Sequence, residues 1–124
     1  MGTSAETRIL VVEDEPLLRM TAVDILEDAG FTVEEASSSR EALAILRRAP
    51  DFHVLFTDVH MPGEMDGLAL AHLAAREFPS VGVIIVSGHK RLEAHEMPRG
   101  ATFLAKPYEA RKVIHHIHQA RQAV

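Results

Sequence analysis

Acidic side chains stand at two places where they contribute nothing to packing. Asp58 closes the apolar run Val54-Leu55-Phe56-Thr57 and opens into Val59-His60-Met61-Pro62-Gly63. Glu13-Asp14-Glu15 follows a second apolar run, Ile9-Leu10-Val11-Val12. A carboxylate at the C-terminal tip of a buried strand sits where open α/β sheets bind ligands. Three carboxylates converging there repel one another, so the site must raise a pKa or bind a cation. Oxygen-only ligands with room for water suit Mg²⁺ or Mn²⁺ rather than zinc. Taken alone, Glu13-Asp14-Glu15 also suits the start of a helix, where acids complement the N-terminal dipole. Asp58 at the matching strand end favours the shared site.

Two further strand ends carry polar groups. Lys106-Pro107 follows Ala101-Thr102-Phe103-Leu104-Ala105, and a lysine at that edge reaches the acidic crevice to pair with a carboxylate or with an anion attached to it. In isolation it reads as a solvated lysine, but Pro107 fixes the chain just past the strand end. Ser87 follows a fourth apolar run, and its hydroxyl can donate to an oxyanion while Gly88 lets the backbone come close. In isolation this pair reads as a Ser-Gly turn.

Such placement requires strands that alternate with helices. Short apolar runs recur at Ile9–Val12, Phe31–Ala36, Val54–Thr57, Val81–Val86 and Ala101–Ala105. Between them, Pro16 to Ala29 opens on a proline and stops at Gly30, which suits a helix with Leu18, Ala22, Ile25 and Ala29 on one face. Ser39 to Ala49 carries Ala42, Leu43, Ile45 and Leu46 and ends at Pro50. Gly67 to Phe78 carries Leu68, Ala71 and Ala75, and Tyr108 to Ala123 carries Val113, Ile114 and Ile117. The fourth crossover, His89 to Gly100, is poor in large apolar residues and holds Pro98, so at most a short, loosely held helix is expected around Leu92 to Met97. This alternation predicts an α/β fold: a flavodoxin-like doubly wound parallel sheet of five strands, order 2-1-3-4-5, with five helices, the fourth short or irregular. Its switch point, between the first and third strands, brings Glu13, Asp14 and Asp58 to one crevice.

The chain's 124 residues make one domain, expected to span 1–124 with a core of about 7–123. With 47% hydrophobic and 25% charged residues the composition is that of an ordinary globular protein. A net charge of −5 disfavours nucleic acid and anionic membrane as partners. No cysteine is present, which excludes disulfides, thiolate metal sites and cysteine nucleophiles. The apolar runs fall far short of the ~20 residues of a membrane span, and Met1 to Glu6 lacks the regions of a signal peptide. A cytoplasmic protein is expected, with no output domain after the last helix.

Val12-Glu13-Asp14-Glu15-Pro16, Thr57-Asp58-Val59-His60-Met61-Pro62, Met65-Asp66-Gly67, Ser87-Gly88 and Lys106-Pro107 follow in this order and spacing. Over essentially its whole length the chain resembles the receiver domain of two-component response regulators, the CheY-like superfamily, of single-domain or hybrid-kinase type. The resemblance implies that Asp58 accepts a phosphoryl group from a phosphohistidine of a partner histidine kinase or histidine phosphotransfer protein. It implies that Asp14, Asp58 and the backbone carbonyl of His60 ligate Mg²⁺, with Glu13 holding the metal through water. Ser87 and Lys106 match the hydroxyl and ammonium that bind phosphoryl oxygens, and Phe103 the aromatic that turns inward when the hydroxyl is recruited. A downstream protein target, or a second copy of the chain, is implied at the face of the fourth helix, fifth strand and fifth helix. The reaction is the protein's own phosphorylation and dephosphorylation rather than turnover of a substrate.

The chain departs from that pattern in places. Met61-Pro62-Gly63-Glu64-Met65-Asp66-Gly67 is one residue longer than the commonest form, and the Ser87 to Lys106 interval is shorter by about a turn of helix. The shortening predicts a small or mobile fourth helix. His60 and His89, two residues after Asp58 and Ser87, border the path of water to the phosphoryl group and either tune its lifetime or are exposed loop residues. His115 and His118 share a face of the last helix and could in principle chelate a metal, but without an identifiable third ligand they read as solvated or interface residues. Two other functions compete: a Mg²⁺-dependent phosphohydrolase with an aspartyl nucleophile, and an interaction module independent of phosphorylation. The haloacid-dehalogenase type of hydrolase places a second aspartate where this chain has His60, and the intact acid pair disfavours a vestigial site.

Overall fold

The computed structural model describes residues 7–49, 51–89 and 91–122. Met1 to Glu6, Pro50 and Ala123, on which some expectations bear, lie outside the described residues. Five strands, β1 (Arg8–Val12), β2 (Thr32–Ala36), β3 (Val54–Asp58), β4 (Gly82–Ser87) and β5 (Thr102–Ala105), form one sheet in the order β2-β1-β3-β4-β5. Every neighbouring pair is parallel. Four α-helices join them: α1 (Pro16–Asp28), α2 (Ser39–Arg48), α3 (Gly67–Glu77) and α4 (Ala110–Gln122). The expected doubly wound, flavodoxin-like sheet is the fold found.

Alternation along the strands divides the core. Ile9, Val11, Val54, Phe56, Ile84 and Val86 face α1 and α4, where they meet Leu26, Val113 and Ile117. Leu10, Val12 and Leu55 face the opposite way, against Leu43, Leu46 and Leu70 of α2 and α3. With both faces covered, the inner strands are apolar throughout: all five residues of β3 and all six of β4 are buried. Each helix is started locally. Pro16 opens α1, the Ser38 hydroxyl accepts from the Glu41 amide at α2, and the Asp66 carboxylate accepts from the Ala69 amide at α3.

The differences from expectation have simple causes. In α1 the buried stripe is Ala22, Val23 and Leu26, while Leu18 is 43% exposed because the first turn borders the crevice instead of the sheet. In α3 the stripe is Leu70, Ala71 and Ala74, with Leu68 and Ala75 at its margins. The last helix begins at Ala110, two residues later than Tyr108, where the Glu109 carbonyl receives the first amides. Among the described residues the fourth crossover carries one 3₁₀ turn, Ala94–Glu96, in place of a fourth α-helix. It is nevertheless anchored: Leu92 is buried against Val59, Ala71 and Ile85, and the His72 ring nitrogen Nε2 lies 2.8 Å from the Glu96 carbonyl.

Candidate functional site

Register brings the polar strand ends together. Val12 pairs with Thr57, which sets Glu13 beside Asp58, and Asp58 pairs with Val86, one residue before Ser87. Ser87 in turn pairs with Ala105, one residue before Lys106, and the Lys106 amide donates to the Ser87 carbonyl at 3.0 Å. The Lys106–Pro107 peptide is cis. The resulting crevice, about 270 Å³, is lined by Glu13, Asp14, Glu15, Leu18, Asp58, His60, Gly88, His89 and Lys106.

Carboxylate oxygens of Glu13, Asp14 and Asp58 lie within 4.8 Å of one another. Glu13 and Asp58 are buried, at 6% and 8% exposure, and Asp14 is half-buried. The Lys106 ammonium spans the pair, 3.0 Å from Glu13 Oε1 and 3.0 Å from Asp58 Oδ1. Burial pushes the Glu13 carboxyl above its ordinary range; the hydrogen bond from Lys106 works against that, and the Asp58 charge adds to it. Burial alone would lower the Lys106 ammonium, but its hydrogen bonds to Glu13 and Asp58 and their charges hold it above its ordinary value. Three carboxylates against one ammonium leave two negative charges unmatched among these four groups, so the site fits a divalent cation in charge as well as in donor type.

Ser87, 2% exposed, accepts through Oγ from the His89 amide at 3.2 Å. Between it and Phe103 lies a hollow of about 180 Å³, also lined by Arg91 and Lys106. Phe103 is half-buried, with the Arg91 guanidinium 5.9 Å from its ring centroid, and its carbonyl lies 3.2 Å from the His116 Nε2 nitrogen. His60 and His89 are both exposed, and their rings meet edge-on at 5.0 Å over the mouth of the crevice. The structure thus brings together Glu13, Asp14, Asp58, His60, Ser87, His89 and Lys106, with Phe103 one hollow away. Among the described residues no third ligand joins His115 and His118, and the His118 ring packs edge-on to Phe31.

Sequence reasoning passed over two neighbours of the site. Tyr108, two residues after Lys106, packs edge-on to Phe56, and burial raises its phenol above the ordinary range. Arg19 of α1 donates to the Glu13 carbonyl. The one signal for it in the chain is its place a helical turn after Glu15.

Residues 9–118 match the model of the response regulator receiver domain. The chain is 37% identical over 111 residues to the nitrogen assimilation regulatory protein NtrX of Azorhizobium caulinodans, covering 86% of this chain and 24% of that protein. It is 34% identical over 113 residues to the receiver protein CpdR of Brucella abortus, covering 89% of this chain and 92% of that one. It spans about a quarter of the length of several such relatives, NtrX among them. A receiver domain from Clostridium thermocellum superposes with a TM-score of 0.86 at 32% identity, over 94% of each chain. The chain belongs to the response regulator receiver domain family.

Proposed function

We propose that residues 1–124 form a single receiver domain, with a core of about 7–123, that takes a phosphoryl group onto Asp58. An Asp58 carboxylate oxygen attacks the phosphorus of a phosphohistidine, the P–N bond breaks as the P–O bond forms, and the imidazole leaves with its electron pair. The observation that carries this reading is the Lys106 ammonium held between Glu13 and Asp58 beside a buried Ser87. Lys106 and Ser87 are placed to receive phosphoryl oxygens, where a preorganised ammonium and hydroxyl act on charge as it develops. Asp14, Asp58 and the His60 carbonyl would hold Mg²⁺ or Mn²⁺, with Glu13 reaching it through water. The ion, when bound, supplies neutralisation of the phosphoryl oxygens.

Receiver domains act as regulatory switches rather than conventional enzymes. In this one, a phosphorylated Asp58 draws Ser87 inward and Phe103 moves into the hollow between them, changing the surface of α4 and β5 for a downstream protein or a second copy of the chain. His60 and His89, meeting over the crevice, meter water reaching the phosphoryl group; unchanged decay rates in His60→Ala and His89→Ala would remove that role. Leu18, 43% exposed, lines the crevice, so the face that offers Asp58 also offers apolar contact to a phosphohistidine donor, and Leu17 and Met20 of the same helix are exposed at 76% and 58%. No helix among the described residues is long and apolar enough to cross a membrane, in keeping with a cytoplasmic site of action and protein partners.

The test is incubation with Mg²⁺ and acetyl phosphate, or with a phosphorylated kinase domain, followed by intact mass measurement. One added phosphoryl group, absent in Asp58→Asn, is expected. No adduct with either donor would overturn the proposal.

A further inference from the structure

Arg19 makes two bonds that no role in the helix surface requires. Its Nη1 donates to the backbone carbonyl of Glu13 at 2.9 Å, and its Nε donates to Glu35 Oε1, in β2, at 2.8 Å. The Glu13 amide continues the β1–β2 ladder, bonding to Ala36 at 3.1 Å, and the chain then leaves the sheet. A charged donor is one of the stronger partners a carbonyl at that point can have. Elsewhere in this turn the Glu15 amide donates to Glu13 Oε2 at 3.2 Å, while Glu15, at the N-cap, makes no side-chain cap bond.

Holding the Glu13 carbonyl fixes the plane of the Glu13–Asp14 peptide. That plane sets the direction of the Asp14 side chain, which must meet Glu13 and Asp58 to complete the acidic group. We infer that Arg19 is a positioning residue for the divalent cation, acting through the Glu13–Asp14 peptide and anchored from behind by Glu35. The inference rests on the cation site proposed above.

Charge alone argues in the opposite direction, which makes the inference testable. A guanidinium beside a cation site repels the cation, so a purely Coulombic effect of its removal is tighter binding. Loss of a positioning group behind a metal ligand weakens affinity, typically by about 10- to 100-fold. The experiment is titration of the full chain with Mn²⁺, followed by the electron paramagnetic resonance signal of the free ion, for wild type, Asp14→Asn, Arg19→Gln and Arg19→Lys. Wild type is expected to bind one ion and Asp14→Asn to lose it. Arg19→Gln is expected to bind about tenfold more weakly, and Arg19→Lys several-fold more weakly, because an ammonium lacks the fixed fork of the guanidinium.

In acetyl phosphate reactions the Mg²⁺ concentration for half-maximal rate should rise by about the same factor in Arg19→Gln, with the rate at saturating Mg²⁺ changed less than about twofold. A general loss of fold would instead lower the rate at saturating Mg²⁺. Equal or tighter Mn²⁺ binding in a cooperatively folding Arg19→Gln overturns the inference, and so does wild-type affinity in Arg19→Lys should the glutamine variant fail to fold. Absence of binding by wild type overturns the cation site itself, and the inference with it.

Discussion

Gly67 opens α3 directly against the end of β3, and it offers a sharp perturbation. A Cβ there would overlap the Asp58 carbonyl oxygen and lie 2.6 Å from its carbonyl carbon and 3.0 Å from Thr57 Oγ1. The nearest atoms are backbone, so no side-chain rotation relieves the overlap. Reaching the ordinary contact range, which begins at 3.4 Å, requires the start of α3 and the end of β3 to part by about 2 Å. Gly67→Ala is therefore expected to destabilise by about 1–3 kcal/mol through overpacking. Because the displaced atoms belong to the proposed nucleophile, a misplacement of about 1 Å or more also lowers the phosphorylation rate by at least about 100-fold.

Gly63 is the internal control. Its φ of +112° is left-handed, but a Cβ there meets nothing within 4 Å. Gly63→Ala should thus cost about 1–2 kcal/mol in backbone strain and leave phosphorylation within about twofold. Urea unfolding and acetyl phosphate kinetics of both variants are the assays. The reasoning fails if Gly67→Ala is as stable as wild type, since alanine for glycine without a clash stabilises by about 0.4–1 kcal/mol, or if the two variants phosphorylate alike.

Four other outcomes follow from the same geometry. Leu18→Ser, an uncharged change at an exposed position, should change stability by less than about 0.5 kcal/mol and leave acetyl phosphate kinetics intact while slowing transfer from a phosphohistidine donor; equal slowing with both donors contradicts the docking role of α1. Leu92→Ala should cost about 2 kcal/mol in urea unfolding, the low end for a buried leucine, because Leu92 is 7% exposed within the cluster of Val59, Ala71 and Ile85. Lys106 has a folded pKa above its ordinary value of 10.5, so its stabilisation is full below that pH and lost as pH rises through the folded value; the stability gap between wild type and Lys106→Met should narrow above it. Glu41 shows the opposite sign: the Ser37 amide and hydroxyl hold its carboxyl below 4.5, so its contribution is present above that pH and lost as pH falls, and the cost of Glu41→Gln should shrink toward pH 3.

Most of the site was legible because strand ends announce themselves: an apolar run that stops at Asp58 or Ser87 needs no knowledge of what lies beside it. The convergence followed from strand order, since β1 and β3 are neighbours at the point where the chain switches faces. What escaped was information carried by three-dimensional reach. Helical periodicity counted Leu18 as core, whereas the first turn of α1 flanks an open crevice with no sheet beneath it to cover the side chain. Arg19 reads as a surface charge in any periodic count, and only the folded chain reveals that it turns back to the Glu13 carbonyl. The fourth crossover, expected to hold at most a short helix because few apolar residues mark it, folds among its described residues only into the 3₁₀ turn; its contacts, Leu92 on Val59, Ala71 and Ile85 and Glu96 on His72, reach elements that a local reading does not see.

Chemical trapping tests the assignment of Asp58 most directly. The chain is phosphorylated with Mg²⁺ and acetyl phosphate, treated with borohydride to reduce any acyl phosphate to the alcohol, and mapped by peptide mass spectrometry. Homoserine at position 58, dependent on both Mg²⁺ and phosphodonor, is the predicted result. Reduction at Glu13 or Asp14 instead, or no reduced residue at all, would contradict it.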